Sequence, residues 1–236
     1  MTVPTPSTHG PSFSVVEALQ SRNVADRSRG FELLVVVSWK PVYKYLRRRW
    51  GKSSDDAKAL TLRFFSRVME TDFLTRYVPA RSRFRAFVRE EVDLFASTRE
   101  DVASEPESLA LDFGSAEEEY VMDPEDPNQP ADAFFDNEWA RSLFTLAIEQ
   151  LHNTLESQGK LVQFKLFQRF DLQDRAGGET MTYDELAHEF SLPVDEVRHG
   201  LAGVRQQLSS IVLDLVRSFS TTDDEFRKEA RSLFGI

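Results

Sequence analysis

The run Thr182-Tyr183-Asp184-Glu185-Leu186-Ala187 decides the fold of the C-terminal half of this 236-residue chain. A Thr followed three residues later by a Glu, next to an apolar position, is a capping box, which marks the start of a helix. The pattern predicts a short helix to Phe190, a turn at Ser191-Leu192-Pro193 and a long second helix over 194–219. A short helix, a tight turn and a second helix together indicate a helix-turn-helix.

Working outward from this motif, apolar residues recur every three or four positions along most of the chain, which is the spacing of helices. We expect helices over 13–29, 31–50, 54–68, 82–95, 134–158, 160–172 and 222–233. Pro41 is expected to kink the second of these or split it in two, because proline removes a helix hydrogen bond. No segment alternates apolar and polar residues, so the sequence predicts an all-α fold.

The net charge of −10 is unevenly distributed. Residues 31–99 hold fifteen Lys or Arg and eight Asp or Glu, a net charge of +7, whereas residues 100–139 hold fourteen Asp or Glu and no Lys or Arg. Such asymmetry predicts two charged modules joined by an acidic linker. The predicted divisions are an N-terminal extension (1–30), a basic helical domain (31–100), an acidic linker (101–133), a helix-turn-helix domain (134–220) and a C-terminal helix (221–236).

Several classes of protein are excluded by what the sequence lacks. There is no cysteine, so a disulfide, a thiolate nucleophile and a Cys-ligated zinc are ruled out. The four His residues are scattered, and no Gly-rich phosphate loop or nucleophile elbow occurs. We therefore expect a protein that is not an enzyme and has no metal or cofactor. With no signal peptide and no membrane-spanning run, we expect a cytoplasmic protein without a membrane partner.

Three ordered runs, Trp39–Arg49, Ser54–Phe65 and Pro79–Phe87, resemble region 2 of extracytoplasmic-function (ECF) sigma factors. The run that begins at Thr182, with the helix after it, resembles their region 4, so the resemblance extends over about residues 31 to 233. It implies a factor that binds RNA polymerase core and directs transcription initiation. In that family region 2 reads and melts the minus-ten promoter element, and region 4 reads the minus-thirty-five element.

The resemblance also implies which residues bind each partner. Those implied for RNA polymerase are Asp55, Asp56, Lys58, Thr61, Arg63 and Phe65. Those implied for promoter DNA are Arg81, Arg83, Arg85, Arg89, Tyr183, Arg198, His199 and Arg205. The alternative for the arginines is a solvated, salt-bridged surface.

Two departures from the family pattern weaken both kinds of binding. The family's acidic polymerase-docking signature is replaced by Asp56-Ala57-Lys58-Ala59-Leu60-Thr61-Leu62, which loses carboxylates and gains a cation. The helix-turn-helix domain has fewer arginines than is usual, although phosphate contacts supply much of DNA affinity.

Two hypotheses address these departures. Phosphorylation of Thr61 by a Ser/Thr kinase would add negative charge to the docking helix; the alternative is that Thr61 is a small packing residue. The acidic linker would compete with DNA for the basic module; the alternative is a solvated spacer. The rival to a sigma factor is a sigma-like interaction protein that binds an anti-sigma factor or another regulator without reading DNA.

Overall fold

The computed structural model describes residues 13–70, 73–79, 81–98, 109–122, 129–173 and 181–235 of the chain. All regular structure in these ranges is helical and no strand occurs in them, which confirms the predicted all-α fold. The α-helices are α1 (Val15–Gln20), α2 (Val24–Arg49), α3 (Ser54–Glu70), α4 (Phe84–Ser97), α5 (Phe113–Met122), α6 (Ala131–Ser157), α7 (Leu161–Phe167), α8 (Tyr183–Phe190), α9 (Val194–Ser218) and α10 (Asp223–Phe234). A 3-10 helix, Phe73–Arg76, and a π-helical turn, Gln168–Gln173, complete the elements. In the ranges described, no helix has the length and apolar character needed to cross a bilayer.

The chain divides into two compact units, and the division falls inside α6 and α9. The smaller unit is Phe144–Leu215, and the larger unit comprises the described residues of 13–143 and 216–235. The larger unit therefore takes in the predicted basic domain together with parts of the extension and the acidic linker, the start of α6 and the C-terminal helix. The predicted boundaries at residues 100 and 133 differ from this division.

The N-terminal part of the larger unit is a close pair of helices. Asn23 accepts a hydrogen bond from the Ala25 amide at 2.9 Å and caps α2, so the helix predicted over 13–29 is in fact two helices. A Cβ atom at Gly30 would lie 2.9 Å from the Cβ of Ala18. Glycine at this position is therefore what lets α1 approach α2 so closely.

Helix α2 runs without interruption through Pro41, so the prediction that proline divides it was wrong. Pro41 is buried in a stretch where almost every residue between Leu34 and Leu46 is buried. Packing on several sides compensates for the missing hydrogen bond, since tertiary contacts supply most helix stability. The helix ends at Arg49, one residue before its predicted end, and Gly51 just beyond it has a left-handed conformation (φ 55°).

Phenylalanine forms much of the core of the larger unit. The Phe64 ring lies 5.2 Å from Phe65, 6.1 Å from Phe73 and 5.9 Å from Phe95, in edge-to-face contacts. Phe87 lies 5.1 Å from Phe73 and is also buried. These contacts join α3, α4 and the 3-10 helix, as edge-to-face aromatic pairs commonly do in cores.

The predicted linker contains a helix, α5, and α6 begins at Ala131, three residues before its predicted start. Leu109–Phe113 leads into α5, and Ala116 on the helix is fully buried. The remaining residues of the predicted linker, 101–108 and 123–128, lie outside the described residues. At least the segment 113–122 is therefore part of a folded unit rather than a solvated spacer.

The smaller unit contains a short helix, a turn and a long second helix at the positions that the sequence predicts. Thr182 accepts from the Glu185 amide at 3.3 Å, and the Glu185 side chain accepts from the Thr182 amide at 2.7 Å, which confirms the capping box. Helix α8 ends at Ser191 in a left-handed conformation (φ 53°), and α9 begins at Val194. The predicted loop at 174–180 lies outside the described residues.

Candidate nucleic-acid interface

Arg85, an expected DNA contact, is buried at the start of α4 with its side chain only 2% exposed. Its Nε and Nη2 atoms donate to the two carboxylate oxygens of Asp136 at 2.9 and 3.1 Å, and its Nη1 donates to Glu229 at 2.9 Å. Bidentate pairs of this kind are among the strongest in proteins. In this conformation Arg85 is paired and buried rather than open to a DNA phosphate, and its contact with DNA stays a prediction.

Arg83 and Arg89 lie on either side of this cluster and are also paired with carboxylates. Arg83 Nε lies 3.6 Å from Glu229, and its Nη1 donates to the Ser232 hydroxyl at 2.8 Å. Arg89 Nη2 lies 3.0 Å from Asp132. Arg81 is exposed at the surface. The arginine series of α4 is therefore partly covered by carboxylates from α6 and α10.

A carboxylate also occupies the N-terminus of α4. Glu225 Oε1 accepts from the Phe84 amide at 3.2 Å and from the Tyr77 hydroxyl at 2.6 Å. The cap residue Arg83 supplies no side-chain cap to this helix end. Glu225 thus satisfies a helix N-terminus, a position that attracts anions. Burial, together with the bond to Glu225, raises the pKa of Tyr77.

Glu229 is the least compensated carboxylate of the cluster. It is 5% exposed, and its Oε2 atom accepts no hydrogen bond. Burial raises its pKa, and the nearby charges of Arg85 and Arg83 oppose that shift without cancelling it. The attraction between Glu229 and these two arginines is therefore opposed by the loss of hydration of the carboxylate.

A second set of carboxylates, on α5, covers basic residues of α2. Glu119 accepts from Lys40 at 2.6 Å and from Lys44 at 3.0 Å. Glu117 accepts from Arg47 at 2.8 Å and 3.1 Å, and from the Tyr43 hydroxyl at 2.5 Å. Partial burial acts to raise the pKa of Glu119, but the hydrogen bonds from the two lysines outweigh it, and the pKa is lowered.

Phe113 anchors the start of α5 with apolar contacts. Its ring lies edge-on to Trp39 at 5.4 Å and to Tyr43 at 5.3 Å. The Lys58 ammonium of α3 lies 5.8 Å from the same ring. The acidic segment is thus attached to α2 by an aromatic contact as well as by ion pairs.

Lys44 is the most deeply buried cation of the larger unit. Its side chain is 1% exposed, and its Nζ lies 2.7 Å from Glu138 on α6, which is 2% exposed. Arg141, which is half exposed, lies 2.7 Å from the same carboxylate. The start of α6, predicted to belong with the helix-turn-helix, is therefore joined to α2 through a buried ion pair.

The residues expected to bind polymerase divide into exposed and buried groups. Asp55, Asp56 and Lys58 are exposed on the first turns of α3, and Arg63 is half-buried. Phe65 and Thr61 are fully buried. The Thr61 hydroxyl donates to the Ala57 carbonyl at 2.7 Å. The hypothesis of a phosphorylation site at Thr61 requires an accessible hydroxyl, and this conformation favours the packing alternative.

In the smaller unit, the residues expected to contact DNA are only partly available. Arg198 and His199 are exposed near the start of α9, and the Arg198 guanidinium lies 5.6 Å from the Tyr183 ring. Arg205 is held by Asp171 at 2.8 and 2.9 Å. That hydrogen bonding raises the pKa of Arg205. Arg205 therefore serves to join α9 to the π-helical turn.

The sequence did not predict that carboxylates of the same chain pair with these basic residues. Glu225 and Glu229 are spaced four apart, which places them on one face of α10. Lys44 stands in the apolar run Val42–Leu46, a signal that its side chain is buried. In the part of the chain that the structure covers, no group of three or more acidic or His side chains is placed to hold a metal ion.

Comparisons of this chain with protein-family models, with curated proteins and with solved structures find no match.

Proposed function

We propose that this protein is a sigma-type transcription initiation factor that binds RNA polymerase core and contacts promoter DNA. The observation that carries the proposal is the succession in the smaller unit of a short helix with a capping box at Thr182, a left-handed turn at Ser191 and a long second helix. In helix-turn-helix proteins the first turns of the second helix enter the major groove. Arg198 and His199 are exposed at that position.

The charge of the second helix predicts weak DNA binding by the smaller unit alone. Asp195 and Glu196 lie in the first turn of α9, directly before Arg198. Phosphate contacts need cations, so two carboxylates at this position reduce affinity for DNA of any sequence. A factor of this type depends on polymerase to hold it at a promoter, and α3 exposes Asp55, Asp56 and Lys58 as candidates for that contact.

The test is selection of DNA by the complex with bacterial core polymerase, followed by run-off transcription. A random duplex pool is bound by core with and without this chain, and the enriched sequences serve as templates. We expect an enriched motif that depends on the chain, and transcripts that start at a fixed distance from it. Enrichment identical to that of core alone would refute the proposal.

Two variants test the role of the second helix. Arg198→Ala removes an exposed cation of α9, and Lys165→Ala removes an exposed cation of α7. Loss of a specific base contact costs about 1–3 kcal/mol. We therefore expect Arg198→Ala to weaken binding to the selected motif by about five-fold or more, and Lys165→Ala to leave it unchanged.

The second candidate function is an interaction protein that binds a regulator without reading DNA. It is favoured by the pairing of Arg83, Arg85 and Arg89 with carboxylates of the same chain, and by that of Arg205 with Asp171. Under this alternative the selection enriches no motif, while the chain still retains a partner such as an anti-sigma factor in pull-down.

A further inference from the structure

The inward face of α10 is unusual because its buried side chains are mainly carboxylates. Glu225 and Glu229 are 6% and 5% exposed, and Ala230 is the one apolar residue of this helix among the buried core. Most surface helices attach through a stripe of apolar side chains. Phe226, Leu233 and Phe234 of α10 are half-buried. The most deeply buried contacts of the helix are the hydrogen bonds and ion pairs of Glu225 and Glu229, which water, salt or another anion can replace.

The groups that receive these carboxylates form an anion-binding site. They are the Phe84 amide at the N-terminus of α4, the Tyr77 hydroxyl, and the guanidinium groups of Arg83 and Arg85. Backbone amides at a helix start, a hydroxyl and arginines are the donors that bind phosphate in proteins. Arg85 is 2% exposed, and its Nε and Nη2 atoms donate to Asp136 of α6, so Nη1 is the group that Glu229 occupies.

We propose that α10 is a displaceable cover, and that Glu225 and Glu229 occupy the positions that nucleic-acid phosphates take when α10 moves away. This inference rests on the proposed function, because it supplies the DNA contacts that the closed conformation withholds. It names α10, rather than the acidic linker, as the element that competes with DNA at the start of α4. The ligand class is a phosphodiester backbone, without base specificity.

Physical chemistry favours release of this cover by a polyanion. Each carboxylate loses hydration when α10 docks, and Glu229 Oε2 receives no hydrogen bond in return. A phosphodiester has a pKa far below that of a carboxylic acid and keeps its charge at every physiological pH. DNA also releases condensed counterions when arginines replace them, a gain that the intramolecular carboxylates lack.

The test is DNA binding by three full-length chains, measured by fluorescence anisotropy with a labelled 30-base-pair duplex of random sequence. The first chain is wild type, and the second is Glu225→Gln/Glu229→Gln, which removes both charges of the cover. The control is Glu17→Gln/Glu32→Gln, which makes the same change in net charge at two exposed positions of the same unit. Circular dichroism checks that these three chains fold, and the same check applies to the two further variants described next.

We expect Glu225→Gln/Glu229→Gln to bind the duplex about ten-fold more tightly than the control at 50 mM salt, since charge-assisted hydrogen bonds are about twice as strong as neutral ones. Adding Arg85→Gln to that variant is expected to remove the gain. If the glutamines keep α10 docked, a chain that ends after Thr221 is used in place of the double variant. It should show the same gain in duplex affinity over the control. Hydrogen exchange over 226–234 should speed up when duplex is added to wild type.

The outcomes separate the cover from the proposed function. Equal duplex binding by the control, the double variant and the truncated chain refutes the cover, and leaves the selection experiment to decide the function. Tighter binding that survives Arg85→Gln also refutes it, because the gain then arises elsewhere. Absence of duplex binding by every chain, together with no enrichment in the selection, refutes both.

Discussion

The replacement Lys44→Met tests whether the buried ion pair with Glu138 joins the start of α6 to α2. Methionine keeps the length of the side chain and removes its charge. Glu138, which is 2% exposed, then keeps a single ionic partner, the half-exposed Arg141. Breaking a buried ion pair from one side typically costs 3–5 kcal/mol. Because Arg141 compensates in part, we expect a loss of about 3 kcal/mol in the free energy of unfolding.

Urea unfolding followed by tryptophan fluorescence measures this loss, since Trp39 and Trp139 are both buried in the larger unit. The matched control is Lys40→Met, one helical turn away on α2. Lys40 is 30% exposed and pairs with Glu119, which is 40% exposed. Partly exposed pairs contribute little, so the control should cost less than about 1 kcal/mol.

The double replacement Lys44→Met/Glu138→Leu completes the experiment. It removes both charges of the buried pair, and an apolar pair of similar volume often stabilises as well as the ion pair did. We expect its stability to return to within about 1–2 kcal/mol of wild type. Equal losses for Lys44→Met and Lys40→Met would refute the reasoning, because they would mean that α6 does not bury this pair in solution.

Three further predictions follow from the described contacts. Thr61→Asp should lower the free energy of unfolding by about 3 kcal/mol or more, because it buries an unpaired charge. The control, Ser209→Asp, replaces an exposed hydroxyl that makes the same bond to the preceding helical turn, and it should cost under about 1 kcal/mol. Equal losses of unfolding free energy in the two variants would refute this prediction. Because the pKa of Glu119 is lowered, its contribution to the stability of the folded chain is present above the ordinary pKa of 4.5 and is lost as pH falls through the folded pKa. The protection of the α5 amides against hydrogen exchange should therefore fall below pH 4.5. Glu119→Gln should abolish that pH dependence. Glu185→Ala removes half of the capping box and should cost about 1 kcal/mol in the smaller unit, measured by thermal melting.

Local signals in the sequence predicted the elements that depend on neighbouring residues. The capping box at Thr182 involves groups within a few positions of one another and is confirmed, and the helix predicted to end at residue 50 ends at Arg49. The helix predicted to begin at residue 54 does so, and the Ser53 hydroxyl accepts from the Asp56 amide at its start. Such motifs satisfy backbone groups at helix ends and need no tertiary partner.

The errors concern residues whose conformation depends on distant partners. Pro41 was expected to interrupt α2, but packing around the helix overrides its local preference. The helix α5 was not predicted, because a run with fourteen carboxylates in its neighbourhood has the composition of a linker. It forms because the cations of α2 pair with its carboxylates and the rings of Trp39 and Tyr43 contact its first residue, Phe113.

For the candidate site, the spacing of arginines identified the groups and could not identify their partners. Arg85 and Glu229 are 144 residues apart in the chain, yet they lie 2.9 Å apart in the fold. Periodicity indicates the helices that carry these two residues but carries no information on which helix faces meet. A basic module next to an acidic segment is equally compatible with an open DNA-binding surface and with internal pairing.

Internal pairing changes what salt does to DNA binding, and this gives the proposed cover a second quantitative consequence. DNA binding by the closed chain has two steps, the release of α10 and the contact with phosphate. Salt assists the first step, because it screens Glu225 and Glu229 from Arg83 and Arg85, and it opposes the second. The logarithm of affinity should therefore fall less steeply with the logarithm of salt for wild type than for Glu225→Gln/Glu229→Gln. Each added phosphate contact steepens the slope by about 0.9 in duplex DNA. Parallel slopes across 50–300 mM salt would mean that α10 is already displaced in solution, or that it stays docked when DNA binds.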